Sequence, residues 1–205
     1  MSKIKICGMQ SFHDIRLMNR LQPDYVGFIF DPARKRYVDP DFAYSMKAEL
    51  DPAIKACGVF VDAEPQLAAD LASRGIIDMI QLHGEEDENY IKTLRELTDK
   101  PIIKAFVVRG DEDIRAAIRS SADYVLLDSG RGSGRSFDWH YIREFPRPFF
   151  LAGGLTPDNV KNAINMLHPY AVDVSSGVEY DPPARDRTEG TKDPEKTEQL
   201  MKEAR

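Results

Sequence analysis

The residues of this chain best suited to chemistry recur just past short apolar runs. KIKIC ends in Cys7, GVFVD in Asp62, IQLH in His83 and VLLD in Asp128. A thiol or a carboxyl group in such a place can take or give a proton, and an imidazole titrates near neutrality. DPARKRYV, residues 31 to 38, offers Arg34, Lys35 and Arg36. A planar guanidinium is the side chain suited to a two-point grip on a carboxylate. LAGGLTPDNV and VDVSSGVE place Gly153, Gly154, Ser175, Ser176 and Gly177 at two further run ends. Small residues there let backbone amides approach an anion such as phosphate. Residue type alone leaves other readings open. Cys7 also suits a small buried hydrophobe, Asp128 a turn or cap, the glycines a tight turn into a helix near Pro157, and residues 31 to 38 a solvated basic turn.

Such groups act together only if a frame gathers them, and the hydrophobic periodicity describes one. Short β-branched runs alternate with amphipathic stretches of helical length: KIKIC then SFHDIRLMNRL, DYVGFIF then PDFAYSMKAEL, and so on to YAVDVSSG and KDPEKTEQLMKEA. Eight strand-then-helix units of about 25 residues result, the length a parallel crossover through a helix requires. Eight units close into a (β/α)8 barrel. An open doubly wound sheet would place a Gly-rich dinucleotide turn after the first strand, where CGMQSF stands. In a (β/α)8 barrel the chemistry gathers at the carboxyl ends of the strands, and the loops after strands seven and eight are a frequent phosphate site. Cys7 to Gly177 fall in those places. Cys57 lies inside KACGVFV and reads as packing. GRGSGRSFDW, residues 130 to 139, lacks the Lys of a Walker loop and reads as a flap over a substrate. EYDPPARDRTEG, residues 179 to 190, reads as a loop.

With 205 residues and 42% hydrophobic content, residues 1 to 205 suffice for one barrel domain. The 28 Lys and Arg against 34 Asp and Glu give a charge of −6 without a basic tail, which argues against nucleic acid and anionic membranes as partners. A small phosphorylated ligand held by local groups remains compatible. No apolar run approaches the roughly 20 residues of a membrane helix, and MSKIKICG lacks a signal-peptide core, so a cytoplasmic protein is expected. Cys7 and Cys57 are too few for a disulfide framework or a zinc cluster.

KICGM, GFIF, GVFVD, IQLHG, LLDS followed by GSGRSFDW, LAGGLTPDNV, VDVSSGVE and a late KD, in this order, resemble the phosphoribosylanthranilate isomerase family. The resemblance implies a (β/α)8 enzyme of tryptophan biosynthesis that performs an Amadori rearrangement of N-(5'-phosphoribosyl)anthranilate without a cofactor. It assigns the base to Cys7, the acid to Asp128 and the anthranilate carboxylate to Arg36, just before Tyr37 and Val38. The family more often shows Ser-Pro-Arg near that position, so Arg34 and Lys35 stand as competing cations. Ser133 replaces a more usual Thr and keeps the hydroxyl. With both proton-transfer roles filled, His83 is expected to line the pocket, and Asp62 and Asp173 to anchor structure. The histidine-pathway isomerase performs the same rearrangement with two aspartates, and Cys7 speaks against it. A non-catalytic phosphate-binding barrel would lack the set Cys7, Arg36 and Asp128. Monomer and homodimer both remain open.

Overall fold

The computed structural model describes residues 1–128, 142, 144–181 and 190–205. Eight parallel strands close in sequence order: β1 (Lys3–Cys7), β2 (Tyr25–Ile29), β3 (Lys55–Phe60), β4 (Met79–Leu82), β5 (Ile102–Val107), β6 (Tyr124–Asp128), β7 (Phe149–Ala152) and β8 (Ala171–Val174). β8 pairs back onto β1 in the register Lys5↔Asp173. The barrel expected from the periodicity is therefore the observed fold. Helices α1 (Phe12–Leu21), α2 (Pro40–Glu49), α3 (Pro65–Ser73), α4 (Glu88–Leu97), α5 (Asp111–Arg119), α6 (Val160–Leu167) and α7 (Pro194–Glu203) carry the crossovers. The helix expected over residues 137–145 lies mostly outside the described residues. So do the Gly-rich segment 130–139 with Ser133 and most of the loop 179–190.

Local chemistry starts these helices where the sequence expects. Proline opens α2, α3 and α7, where a missing amide proton costs nothing. The side chains of Ser11, Asp39, Asp87 and Asp193 cap α1, α2, α4 and α7. α6 differs: it begins at Val160 rather than near Pro157, because Asn159 ties the preceding turn. Its Oδ1 accepts from the Thr156 amide at 2.9 Å, and its Nδ2 donates to the Gly154 carbonyl at 3.0 Å.

The strands separate two cores by alternation. Ile4, Ile6, Val26, Phe28, Ile80, Leu82, Val125 and Leu127 point outward and pack under the helices. Tyr25, Cys57, Met79, Ile103, Leu126 and Phe150 point inward and fill the barrel. Lys5 and Cys7 share the inward face of β1, so the first strand delivers two polar groups to the interior.

Candidate functional site

Cys7 closes β1 and is 7% exposed. Its register partner on β2 is Gly27, and the absence of a side chain there makes room for the thiol: a Cβ on Gly27 would lie 2.5 Å from Cys7 Sγ. The chain then turns at Gly8 (φ 88°), and the amides of Gly8 and Met9 both donate to the Gly27 carbonyl at 2.9 Å. Ser175 Oγ donates to the Cys7 carbonyl at 3.0 Å, pinning β1 to the end of β8. Burial pushes the thiol above its ordinary range, opposed by the ammonium groups of Lys5 and Lys192, while the Asp173 carboxylate adds to the rise. Desolvation outweighs these two cations.

Asp128 ends β6, three strand steps from β1 around the eight-stranded ring by way of β7 and β8. The two groups therefore stand on nearly opposite sides of the barrel mouth. His83 follows β4 and brings Nε2 to 3.5 Å from Asp128 Oδ2. Gln81 Nε2 lies 2.9 Å from His83 Nδ1. An amide nitrogen only donates, so this contact makes Nδ1 an acceptor and leaves the ring proton of a neutral His83 on Nε2, facing the carboxylate. His83 stands beside Asp128, a proximity that was not legible in the sequence.

Arg36 is 6% exposed, far from a solvated turn. Its Nε and Nη2 donate to the two oxygens of Glu179 at 2.5 and 2.8 Å, a bidentate pair. Its stem runs beside Gly8 and Gly190, where added Cβ atoms would lie 2.5 and 3.0 Å from it. Lys192, 0% exposed, donates to Glu179 Oε1 at 3.3 Å and to the Ser175 carbonyl at 3.2 Å. Burial works against the Glu179 carboxylate, but Arg36 and Lys192 together hold it below the usual range. Burial draws Lys192 below the ordinary lysine range, with Glu179 opposing. Of the competing cations, Arg34 is exposed and paired with Asp31 at 2.9 Å, and Lys35 lies 4.0 Å from the same Glu179 carboxylate.

Gly153 (φ 95°) and Gly154 (φ 63°) follow β7 in the left-handed region that favours glycine. A Cβ on Gly154 would meet nothing within 4 Å, so the space above it is open. Ser175 follows β8, and a single 3-10 turn, Ser176–Val178, begins there. Gly177 packs against the other loop so closely that a Cβ would fall 1.9 Å from the Leu155 carbonyl oxygen. These two loops are thus in contact, with small residues on both.

Asp62 and Asp173 serve as anchors. Asp62 Oδ1 accepts from the Glu85 amide at 2.6 Å, while Glu86, paired with Lys104 at 2.8 Å, accepts from the Asp62 and Gly84 amides. Asp173 pairs with Lys5 at 2.7 Å. Cys57 is fully buried in the barrel, and burial pushes its thiol up to about 12. Glu179, Lys192, Lys5 and Gly27 received no role from the sequence. Lys5 left a signal: in KIKIC it alternates with Ile4 and Ile6, which puts an ammonium mid-strand on the face that carries Cys7. Among the described residues, no group of three or more His, Cys, Asp or Glu is gathered as a metal site, and no helix is long and apolar enough to cross a membrane.

A closed (β/α)8 barrel whose carboxyl-end mouth carries a thiol, a carboxylate and a buried arginine has the build of an enzyme acting on a small molecule. Residues 4–203 match the family described as N-(5'phosphoribosyl)anthranilate (PRA) isomerase, and the chain belongs to that family. A curated N-(5'-phosphoribosyl)anthranilate isomerase of Endomicrobium trichonymphae is 42% identical over 207 residues, covering 98% of each chain. The crystal structure of phosphoribosyl anthranilate isomerase from Thermotoga maritima matches with a TM-score of 0.88 at 37% identity, over 100% of this chain and 98% of that one. A further phosphoribosyl anthranilate isomerase structure, in complex with reduced 1-(o-carboxyphenylamino)-1-deoxyribulose 5-phosphate, matches with a TM-score of 0.86 at 37% identity and the same coverage.

Proposed function

We propose that this chain converts N-(5'-phosphoribosyl)anthranilate into 1-(2-carboxyphenylamino)-1-deoxyribulose 5-phosphate, an aldose-ketose isomerisation of tryptophan biosynthesis, by acid/base catalysis between Cys7 and Asp128. The observation that carries this reading is the placement of those two groups on nearly opposite sides of one barrel mouth. Asp128 gives a proton to the ribose ring oxygen, opening the ring to an iminium. Cys7, as thiolate, removes the proton from the second sugar carbon, and the resulting enolamine tautomerises to the ketone. His83 presents its Nε2 to Asp128 and orients that carboxyl group. Arg36, fixed through two of its donors by Glu179, keeps donors for the anthranilate carboxylate. Gly153, Gly154, Ser175, Ser176 and Gly177 offer backbone amides to the sugar phosphate. A reaction confined to proton transfers requires no cofactor, and a biosynthetic step of this kind suits a cytoplasmic protein.

The test is turnover by the purified protein of freshly generated phosphoribosylanthranilate, followed as loss of anthranilate-type fluorescence in the presence of a chelator. Metal-independent turnover is expected. Absence of turnover, or activity removed by chelator and restored by metal, contradicts the proposal.

A further inference from the structure

Beneath Cys7 the barrel holds an ion pair to which the proton transfers assign no part. Lys5 precedes Cys7 by two residues on β1, so both side chains enter the barrel from one face. It is 0% exposed, with Nζ 2.7 Å from Oδ2 of Asp173, its register partner on β8. Oδ1 of Asp173 is buried without a hydrogen-bond partner. The surrounding interior is apolar and aromatic, including Tyr25, Ile103, Leu126 and Phe150. A buried pair in such surroundings is a poor stabiliser, because apolar residues of similar volume do as well or better, and an unmatched carboxylate oxygen worsens the balance. What the pair does supply is a fixed positive charge on the same inward face of β1 as the thiol, two residues away. Asp173, together with the Cys7 and Cys57 thiols, favours the charged form of Lys5 against burial, so the ammonium keeps a partner in the thiolate when the carboxylate is removed.

We infer that Lys5 is a positioning residue of the reaction: its ammonium, held by Asp173, is the counter-charge that lets Cys7 exist as a thiolate in the buried mouth of the barrel. The inference rests on the reading of Cys7 as the base. Other groups face the thiol as well. Lys192 approaches from the segment before α7 with Glu179 and Arg36 behind it, Cys57 lies on β3, and His83 and Asp128 occupy the mouth from the β4 and β6 sides. Lys192 is shared between Glu179 and the Ser175 carbonyl, whereas the carboxylate held by Lys5 is itself a neighbour of the thiol. The two members of the Lys5–Asp173 pair must therefore act on Cys7 with opposite signs.

That opposition is measurable. Cysteine Cβ is labelled with carbon-13 in a Cys57→Ala background, so that Cys7 alone reports, and its shift is tracked over pH. Lys5→Met is expected to raise the Cys7 midpoint by about one pH unit or more, a roughly tenfold loss of thiolate at fixed pH. Asp173→Asn, which keeps an acceptor for Lys5 but drops the charge, is expected to lower it. The double variant Lys5→Met with Asp173→Asn leaves no unpaired buried charge, keeps the test alive if the single Lys5 variant fails to fold, and is expected between wild type and Lys5→Met. The rising limb of kcat against pH should move with each midpoint, and Lys5→Arg should restore part of the shift. A midpoint unmoved in Lys5→Met and in the double variant overturns the inference. Turnover retained in Cys7→Ala would instead overturn the base assignment on which it rests, a distinguishable failure.

Discussion

Gly27→Ala tests whether the sulfur of Cys7 sits where the reaction needs it. The added methyl carbon would lie 2.5 Å from Cys7 Sγ and 3.1 Å from its Cα and Cβ. Unstrained contacts between such atoms lie at about 3.5–4.0 Å, so the sulfur, or β1 against β2, must move by about 1 Å. Overpacking of this kind costs about 1–3 kcal/mol, which in a domain of this size lowers the melting temperature by about 2–4 °C for each kcal/mol. A misplacement of about 1 Å in a reacting group costs about a hundredfold in rate. The assay pairs kcat, from fluorescence loss, with thermal melting, in both wild-type and Cys7→Ala backgrounds. Without Sγ only the Cα and Cβ contacts remain, so the stability cost of Gly27→Ala should shrink in the second background. Wild-type turnover and melting temperature in Gly27→Ala would refute the placement of the thiol against β2.

Arg36→Met should weaken binding of the reduced product analogue by about 2–4 kcal/mol, since a buried charge-assisted contact is lost and Glu179 loses its bidentate partner, while Arg34→Met should change it little; titration calorimetry of the two variants decides. Gly177→Ala should destabilise severely, its Cβ falling 1.9 Å from the Leu155 carbonyl oxygen, whereas Gly154→Ala meets no atom and should cost only the left-handed backbone penalty of about 1–2 kcal/mol, together with weaker competition by inorganic phosphate. Glu179 has a depressed folded-state pKa, so its contribution to stability is present above the unfolded value of about 4.3 and is lost as pH falls through that value towards the folded one. The gap in melting temperature between wild type and Glu179→Gln should accordingly narrow below about pH 4.

The barrel was legible because each strand is a short β-branched run that leads into an amphipathic stretch, and each crossover demands a helix. The rim residues were legible for the same reason: once the strand ends are known, Cys7, His83, Asp128, Gly153 and Ser175 stand at them or one position beyond. Pairings between distant residues left no trace in local pattern. Arg36 and Glu179 are 143 residues apart and Lys5 and Asp173 are 168 apart, so only closure of the ring brings them together. The role of Gly27 is likewise invisible in YVGFI, because it depends on which β1 residue stands opposite. The balance at Cys7 was not legible either: the sequence places Lys5 two residues from the thiol but does not show the burial that outweighs the cations.

The most direct test of the mechanism is to measure turnover and binding together in Cys7→Ala. If the thiolate removes the carbon-bound proton, kcat should fall by at least about a hundredfold, within the roughly 10²–10⁴-fold of a positioned proton transfer. Affinity for the reduced product analogue should meanwhile stay near wild type. A Cys7→Ala protein that keeps most of its turnover would make the thiol a packing residue and contradict the mechanism.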